Sequence, residues 1–246
     1  MTVAAVFRLA YAPGVMPAKW VRTFAERRPG VDVELVDCAA AEAAALVRSG
    51  TVDAALGRPG VNAEPDLALI RLYDEVPVVV VPKGHVLTAA DELTCADLAD
   101  ESCLLPLDDV LGWDARPGTQ LSHRPETTAD AVELVAAGLG VLVVPMSLAR
   151  LHHRRDLTFR PLVDGPAAPV GLWWSEPTSE LVDEFIGVLR GRKAGSSRGT
   201  REPVAKRSAK EKAAARRERL EAAGKVPPRK PKGAGEPGAR RRRGGR

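Results

Sequence analysis

Over the first 189 residues, apolar and polar positions follow one another in runs of period two and period 3.6, the patterns of half-buried strands and amphipathic helices. Residues 5–11 read as a strand. Over 16–28, Met16, Trp20, Val21 and Phe24 fall on one helical stripe, which Arg27-Arg28-Pro29-Gly30 ends. Residues 31–36 alternate apolar and acidic side chains as a strand does, 40–49 form an alanine-rich helix closed by Gly50, and 52–56 give a third strand. This βαβαβ order predicts a parallel sheet with right-handed crossovers and helices on its faces. Two more strands are expected at 67–73 and 76–81; the second is all Val except Pro77, and so is expected to be buried on both faces.

Pro82-Lys83-Gly84 closes that run, and a second, smaller α/β unit inserted in the first is expected to follow. It comprises a short helix near 94–98, a strand at 103–105 and a helix at 128–137. Thr127-Thr128-Ala129-Asp130 fits a capping box at the start of that helix and Gly138 its stop. A strand at 141–144 ends at Pro145, a helix covers 147–151, strands cover 157–162 and 171–174, and an amphipathic helix covers 179–189. Trp173 and Trp174, adjacent on a strand, point to opposite faces.

Charge divides the chain. Residues 190–246 hold 21 Lys and Arg against five Asp and Glu, a formal +16, whereas the remainder holds 15 against 27, a formal −12. All ten aromatic residues precede Arg190, and beyond it only Val204, Leu220 and Val226 are sizeable apolar side chains. The last 57 residues therefore cannot build a core and are expected to be a largely disordered basic tail. The N-terminal residues lack the pattern of a signal peptide and no stretch approaches the ~20 apolar residues of a membrane span, so a cytoplasmic protein without a membrane partner is expected. Cys38, Cys95 and Cys103 lack the spacing of a zinc site or disulfide framework and read as free thiols.

Several strings in this order resemble the effector-binding domain of LysR-type transcriptional regulators. They are Phe24-Ala-Glu-Arg-Arg-Pro29 before the Val-x-Val-x-Leu strand, Leu46-Val-Arg-Ser-Gly50 leading into Val52-Asp53-Ala-Ala-Leu56, Val78-Val-Val-Val-Pro-Lys-Gly-His85, and Val135-Ala-Ala-Gly-Leu-Gly-Val-Leu-Val-Val-Pro145. The resemblance covers nearly all of residues 5–189. It implies an α/β fold of the type 2 periplasmic-binding-protein kind: two Rossmann-like subdomains joined by two crossover segments, with a small-molecule effector in the cleft between them. On that reading residues 1–82 and 161–189 form a discontinuous first subdomain, 83–160 the second, and 190–246 the tail. The crossings are expected near Pro82-Lys83 and Arg160-Pro161. Full regulators of this kind carry a helix-turn-helix ahead of the effector domain, and the four residues before the first strand leave no room for one within this sequence.

The resemblance also implies where an effector would sit. Hydroxyl side chains at helix starts after the first and second strands commonly hold its carboxylate, yet the corresponding stretches here, Ala12-Pro13-Gly14-Val15 and Cys38-Ala39-Ala40-Ala41, contain neither Ser nor Thr. Pro13, Gly14, Ala39 and Ala40 remain candidates through their backbone. The second unit adds Pro106, Thr127, Thr128 and Pro145. The capping box accounts for Thr127, leaving Thr128 the better hydroxyl for a ligand. Asp108-Asp109 would repel a carboxylate and favour an amine or polyol, unless both acids are merely solvated. His85 reads as structural, and His152-His153 lacks the further ligands of a metal site. No nucleophile with a base, no phosphate loop and no cofactor motif stands out, so neither enzyme nor cofactor is expected.

In the tail, Arg216, Arg217 and Arg219 lie in a helix-prone stretch over 204–225, and Arg240, Arg241, Arg242 and Arg243 form a terminal run. Such a cluster attracts nucleic acid without reading sequence. The competing readings are a solubilising tail and an arm folded back on the acidic body. The family resemblance also implies side-by-side pairing, as a homodimer or with another LysR-type regulator.

Overall fold

The computed structural model describes residues 5–60 and 66–192. The first sheet has the strand order β2-β1-β3-β10-β4, with β1 at Ala5–Tyr11, β2 at Val31–Asp37, β3 at Ala54–Gly57, β4 at Ala68–Glu75 and β10 at Ala168–Trp174. β1 runs parallel to β2 and β3, as the βαβαβ reading requires. The sheet as a whole is mixed, because β10 slots antiparallel between β3 and β4. Residue periodicity reports burial but carries no information on strand direction, so the expectation of parallel pairing extended only to the first three strands.

Apolar clusters hold this sheet on both faces, one of them strongly aromatic. On one face α1 (Ala18–Arg27) and α5 (Glu180–Leu189) pack through Phe7, Phe24 and Phe185, whose ring centroids lie 5.0 to 5.6 Å apart. Such contacts are each worth about 0.5–1.5 kcal/mol beyond area burial. Arg28 of the α1 cap pairs with Glu180 and Glu184 and so ties the two helices at their surface. The opposite face is covered by α2 (Ala43–Arg48). Trp173 and Trp174 do face opposite ways: Trp174 joins the phenylalanine cluster, Trp173 the cluster under α2, and both are buried. The helix stripe predicted from Met16 starts two residues later. Pro17 caps α1 and biases Met16 away from helical geometry, leaving that side chain 79% exposed.

The second sheet has the order β7-β6-β8-β5-β9, with β5 at Pro77–Pro82, β6 at Ser102–Leu104, β7 at Thr119–Gln120, β8 at Val141–Pro145 and β9 at Leu157–Pro161. Helices α3 (Thr128–Ala136) and α4 (Met146–Leu151) cover one face. Two 3-10 turns, at Val86–Ala89 and Cys95–Leu98, help to cover the other. β5 is antiparallel to both β8 and β9, and Val78 to Val81 are buried, in keeping with an unbroken valine run.

This pairing moves a boundary. β4 belongs to the first sheet and β5 to the second, so the chain crosses at Val76, not near Pro82-Lys83. The return runs between Pro161 and Ala168. The valine run is continuous in sequence with β4, and nothing in its composition tells which sheet it joins.

Candidate functional site

A cavity of about 280 Å³ opens where the two sheets meet. From the first sheet it takes Pro13, in the loop after β1, and Ala39 and Ala40, between β2 and α2. From the second it takes Asp108 and Val110 beyond β6, the start of α3 from Thr127 to Ala129, and Leu148 with His152 of α4 and its cap. Helix starts and strand ends converge here, the usual place for a ligand in α/β folds.

The threonine hydroxyls of this cavity and two of the backbone N–H groups beside it, those of Ala39 and Thr127, are engaged by the chain itself. At α3, Thr127 Oγ1 accepts from Asp130 N–H at 3.1 Å, while Thr127 N–H and Oγ1 donate to the Asp130 carboxylate, the reciprocal box expected. Thr128, buried, donates its hydroxyl to Asp108 Oδ1 at 2.9 Å. At the start of α2, Ala39 N–H donates to Glu42 Oε2 at 3.2 Å. Nearby, Cys38 Sγ lies 3.6 Å from the Tyr11 carbonyl, and burial, then the charges of Asp37 and Glu42, push its thiol up to about 11. Asp109 is not free: it pairs with Arg116, whose guanidinium lies 5.7 Å from the Trp113 ring centre.

A second cluster lies at the crossing. Arg58, at the end of β3 and 2% exposed, donates from Nη2 to Ser147 Oγ at 2.7 Å and lies 3.4 Å from Glu75. Glu75 accepts from both the Ser147 hydroxyl, at 2.7 Å, and its N–H, at 3.2 Å. Among the described residues, Nε and Nη1 of Arg58 have no hydrogen-bond partner. A recess of about 550 Å³ lies alongside, lined by Gly14, Met16, Tyr73, Val76 and Arg150 among others.

Of the ligand candidates read from sequence, Pro13, Ala39, Ala40, Thr127 and Thr128 come together in the smaller cavity. Gly14 lines the recess at the crossing instead. Pro106 is buried, its carbonyl accepting from Arg124 at 2.9 Å, and Pro145 caps α4 at the end of β8; neither lines the cavity. Sequence reasoning missed Val110, Leu148 and His152. Leu148 lies on α4 and His152, four residues on, is its C-cap, so a helix placed at the mouth of a strand ending in Pro145 was the available signal. His85 is structural as expected, accepting from Leu87 N–H at 3.3 Å. Among the described residues no group of His, Cys, Asp and Glu could hold a metal ion, and no helix is long and apolar enough to cross a membrane. The tail arginines, Arg216 to Arg243, lie outside the described residues.

Residues 7–194 match the family described as LysR substrate binding domain. The chain is 31% identical over 162 residues to a probable hydrogen peroxide-inducible genes activator of Mycobacterium avium, covering 61% of this chain and 51% of that protein. It is 33% identical over 135 residues to the HTH-type transcriptional regulator CatR of Pseudomonas putida, covering 50% and 46%. The chain thus spans about half the length of these relatives. Its fold is similar to that of the BenM effector binding domain, solved with its effector benzoate, with a TM-score of 0.66 at 20% identity over 77% of this chain and 92% of that one.

Proposed function

This chain belongs to the family of LysR substrate-binding domains, and from that premise we propose that it is an effector-sensing regulatory protein whose small-molecule ligand enters the cavity between its two sheets. The observation that carries the reading is the composition of that cavity's wall: both sheets contribute to it, so a bound molecule bridges them. Binding would draw the sheets together about the crossings at Val76 and at 162–167, and that hinge closure is the output. The relatives named above are transcriptional regulators, which supports a role in transcription and gives no support to catalysis.

The protein works in the cytoplasm, as a homodimer or paired with another LysR-type regulator, and its basic tail adds contact with nucleic acid that reads no sequence. The test is a thermal-shift screen of small acids, amines and sugars on the full chain, since a ligand of the folded state at 100 times its Kd stabilises by about 2.7 kcal/mol. Any hit is then measured against Ala40→Trp, which fills the cavity from the first sheet. A hit that binds this variant unchanged places its site elsewhere and overturns the proposal.

A further inference from the structure

Several donors around the cavity that would serve an anion, both threonine hydroxyls among them, are already occupied by carboxylates of the chain. Glu42 takes the N–H of Ala39, Asp108 the hydroxyl of Thr128, and Asp130 both the N–H and the hydroxyl of Thr127. The first-sheet side of the wall, Pro13, Ala39 and Ala40, has no hydroxyl to add. Among the described residues there is no arginine to spare beside the cavity: Arg116 is paired with Asp109, Arg124 is directed at the carbonyls of Leu105 and Pro106, and His152 is the one basic side chain of these residues lining the cavity. A carboxylate entering here would meet the like charge of Asp108, with both hydroxyls already engaged. The raised Cys38 thiol, which feels Asp37 and Glu42 after burial, reports the same negative field at the first-sheet side.

Asp108 is the group set to use that field. Thr128 fixes one of its oxygens, and no described residue hydrogen-bonds the other. The stretch just before it is held by Arg124 on the carbonyls of Leu105 and Pro106 and by Leu107 N–H on the Pro125 carbonyl at 2.9 Å, and the next residue, Asp109, is held by Arg116. Little reordering is needed to receive a donor. We propose that the cavity takes a small organic cation, an ammonium group resting on Asp108 with a short apolar body against Pro13, Val110 and Leu148. The proposal rests on the reading of this cavity as the effector site and names the class of effector.

The probes are matched sets of n-butyl and benzyl compounds, each as the ammonium, the alcohol and the carboxylate, titrated into the full chain at pH 7. Affinity is followed by calorimetry and location by the amide shifts of Ala40 and Thr128. The ammonium members are expected to bind at least roughly tenfold more tightly than the carboxylates, the discrimination of a charge-assisted hydrogen bond. Asp108→Asn, which can still accept from Thr128, is expected to abolish that preference without a change in melting temperature. Carboxylates that bind more tightly than their ammonium partners while shifting Ala40 and Thr128 overturn the cation assignment and leave the cavity as the effector site. Probes that bind without moving either amide, or no binding by any member, overturn both.

Discussion

Gly14 and Ser147 meet across the two sheets so closely that a Cβ on Gly14 would stand 2.6 Å from the Ser147 hydroxyl. Gly14 also has φ +80, a conformation side chains disfavour. Gly14→Ala therefore adds backbone strain of about 1–2 kcal/mol to a clash with the start of α4. For a unit of this size that is a loss of roughly 2–8 °C in Tm, readable by calorimetry. An unchanged Tm would mean that the sheets separate without cost at this point.

The same serine belongs to the cluster of Arg58 and Glu75. Glu75→Gln removes the charge that compensates a guanidinium 2% exposed, and is expected to cost about 3 kcal/mol in urea unfolding. Arg58→Met together with Glu75→Gln removes both charges and should recover most of that loss. Equal losses in the single and double variants would show that the pair is not coupled.

Thr127 and Thr128 are neighbours with separable roles. Thr127→Ala deletes a capping box and should destabilise by about 1 kcal/mol with ligand affinity unchanged. Thr128→Val releases the Asp108 carboxylate, and should change affinity for a cavity ligand more than stability. Paired titrations and melts of the two variants decide between these assignments.

Stability should fall at both ends of the pH scale. Hydrogen bonds from Arg48 to Asp66, from Thr94 to Asp97 and from Arg154 to Asp156 hold these carboxyls below their ordinary 3.8. Their contribution is present above 3.8 and is lost as pH falls through their lower folded values. Burial, reinforced by neighbouring acids, pushes Cys38 and Cys95 from 9.0 up to about 11. The folded state then holds protons the unfolded chain releases, so stability declines as pH rises from 9.0 towards 11. Alkylation of the native thiols by iodoacetamide at pH 8 should be slower than in urea.

For the tail, the full chain and a chain ending at Leu189 are compared on DNA and RNA columns across a salt series. The full chain should be retained at low salt and released steeply as salt rises, with each phosphate neutralised contributing about −0.9 to the log–log slope. Equal retention of the two would remove the nucleic-acid reading.

Much of this was legible in the residues. Thr127 and Asp130 announced their capping box because that interaction is local, and the Trp173-Trp174 pair followed from the strand's period of two. The crossing at Val76 and the antiparallel seat of β10 were not, because sheet membership is a long-range property that a run such as Val78 to Val81 satisfies equally well in either sheet. Asp108 was visible as an acid near the cleft, but its partner Thr128 lies 20 residues away. Only the fold shows that Asp109 is neutralised by Arg116 while Asp108 has no salt-bridge partner among the described residues.

The phenylalanine cluster has a mechanical meaning. Phe7 of the first strand and Phe185 of the last helix stand 5.2 Å apart, so both ends of the described chain are fastened to the same sheet. The second sheet carries neither of those ends, so in the proposed closure it is the half that a wedged molecule swings.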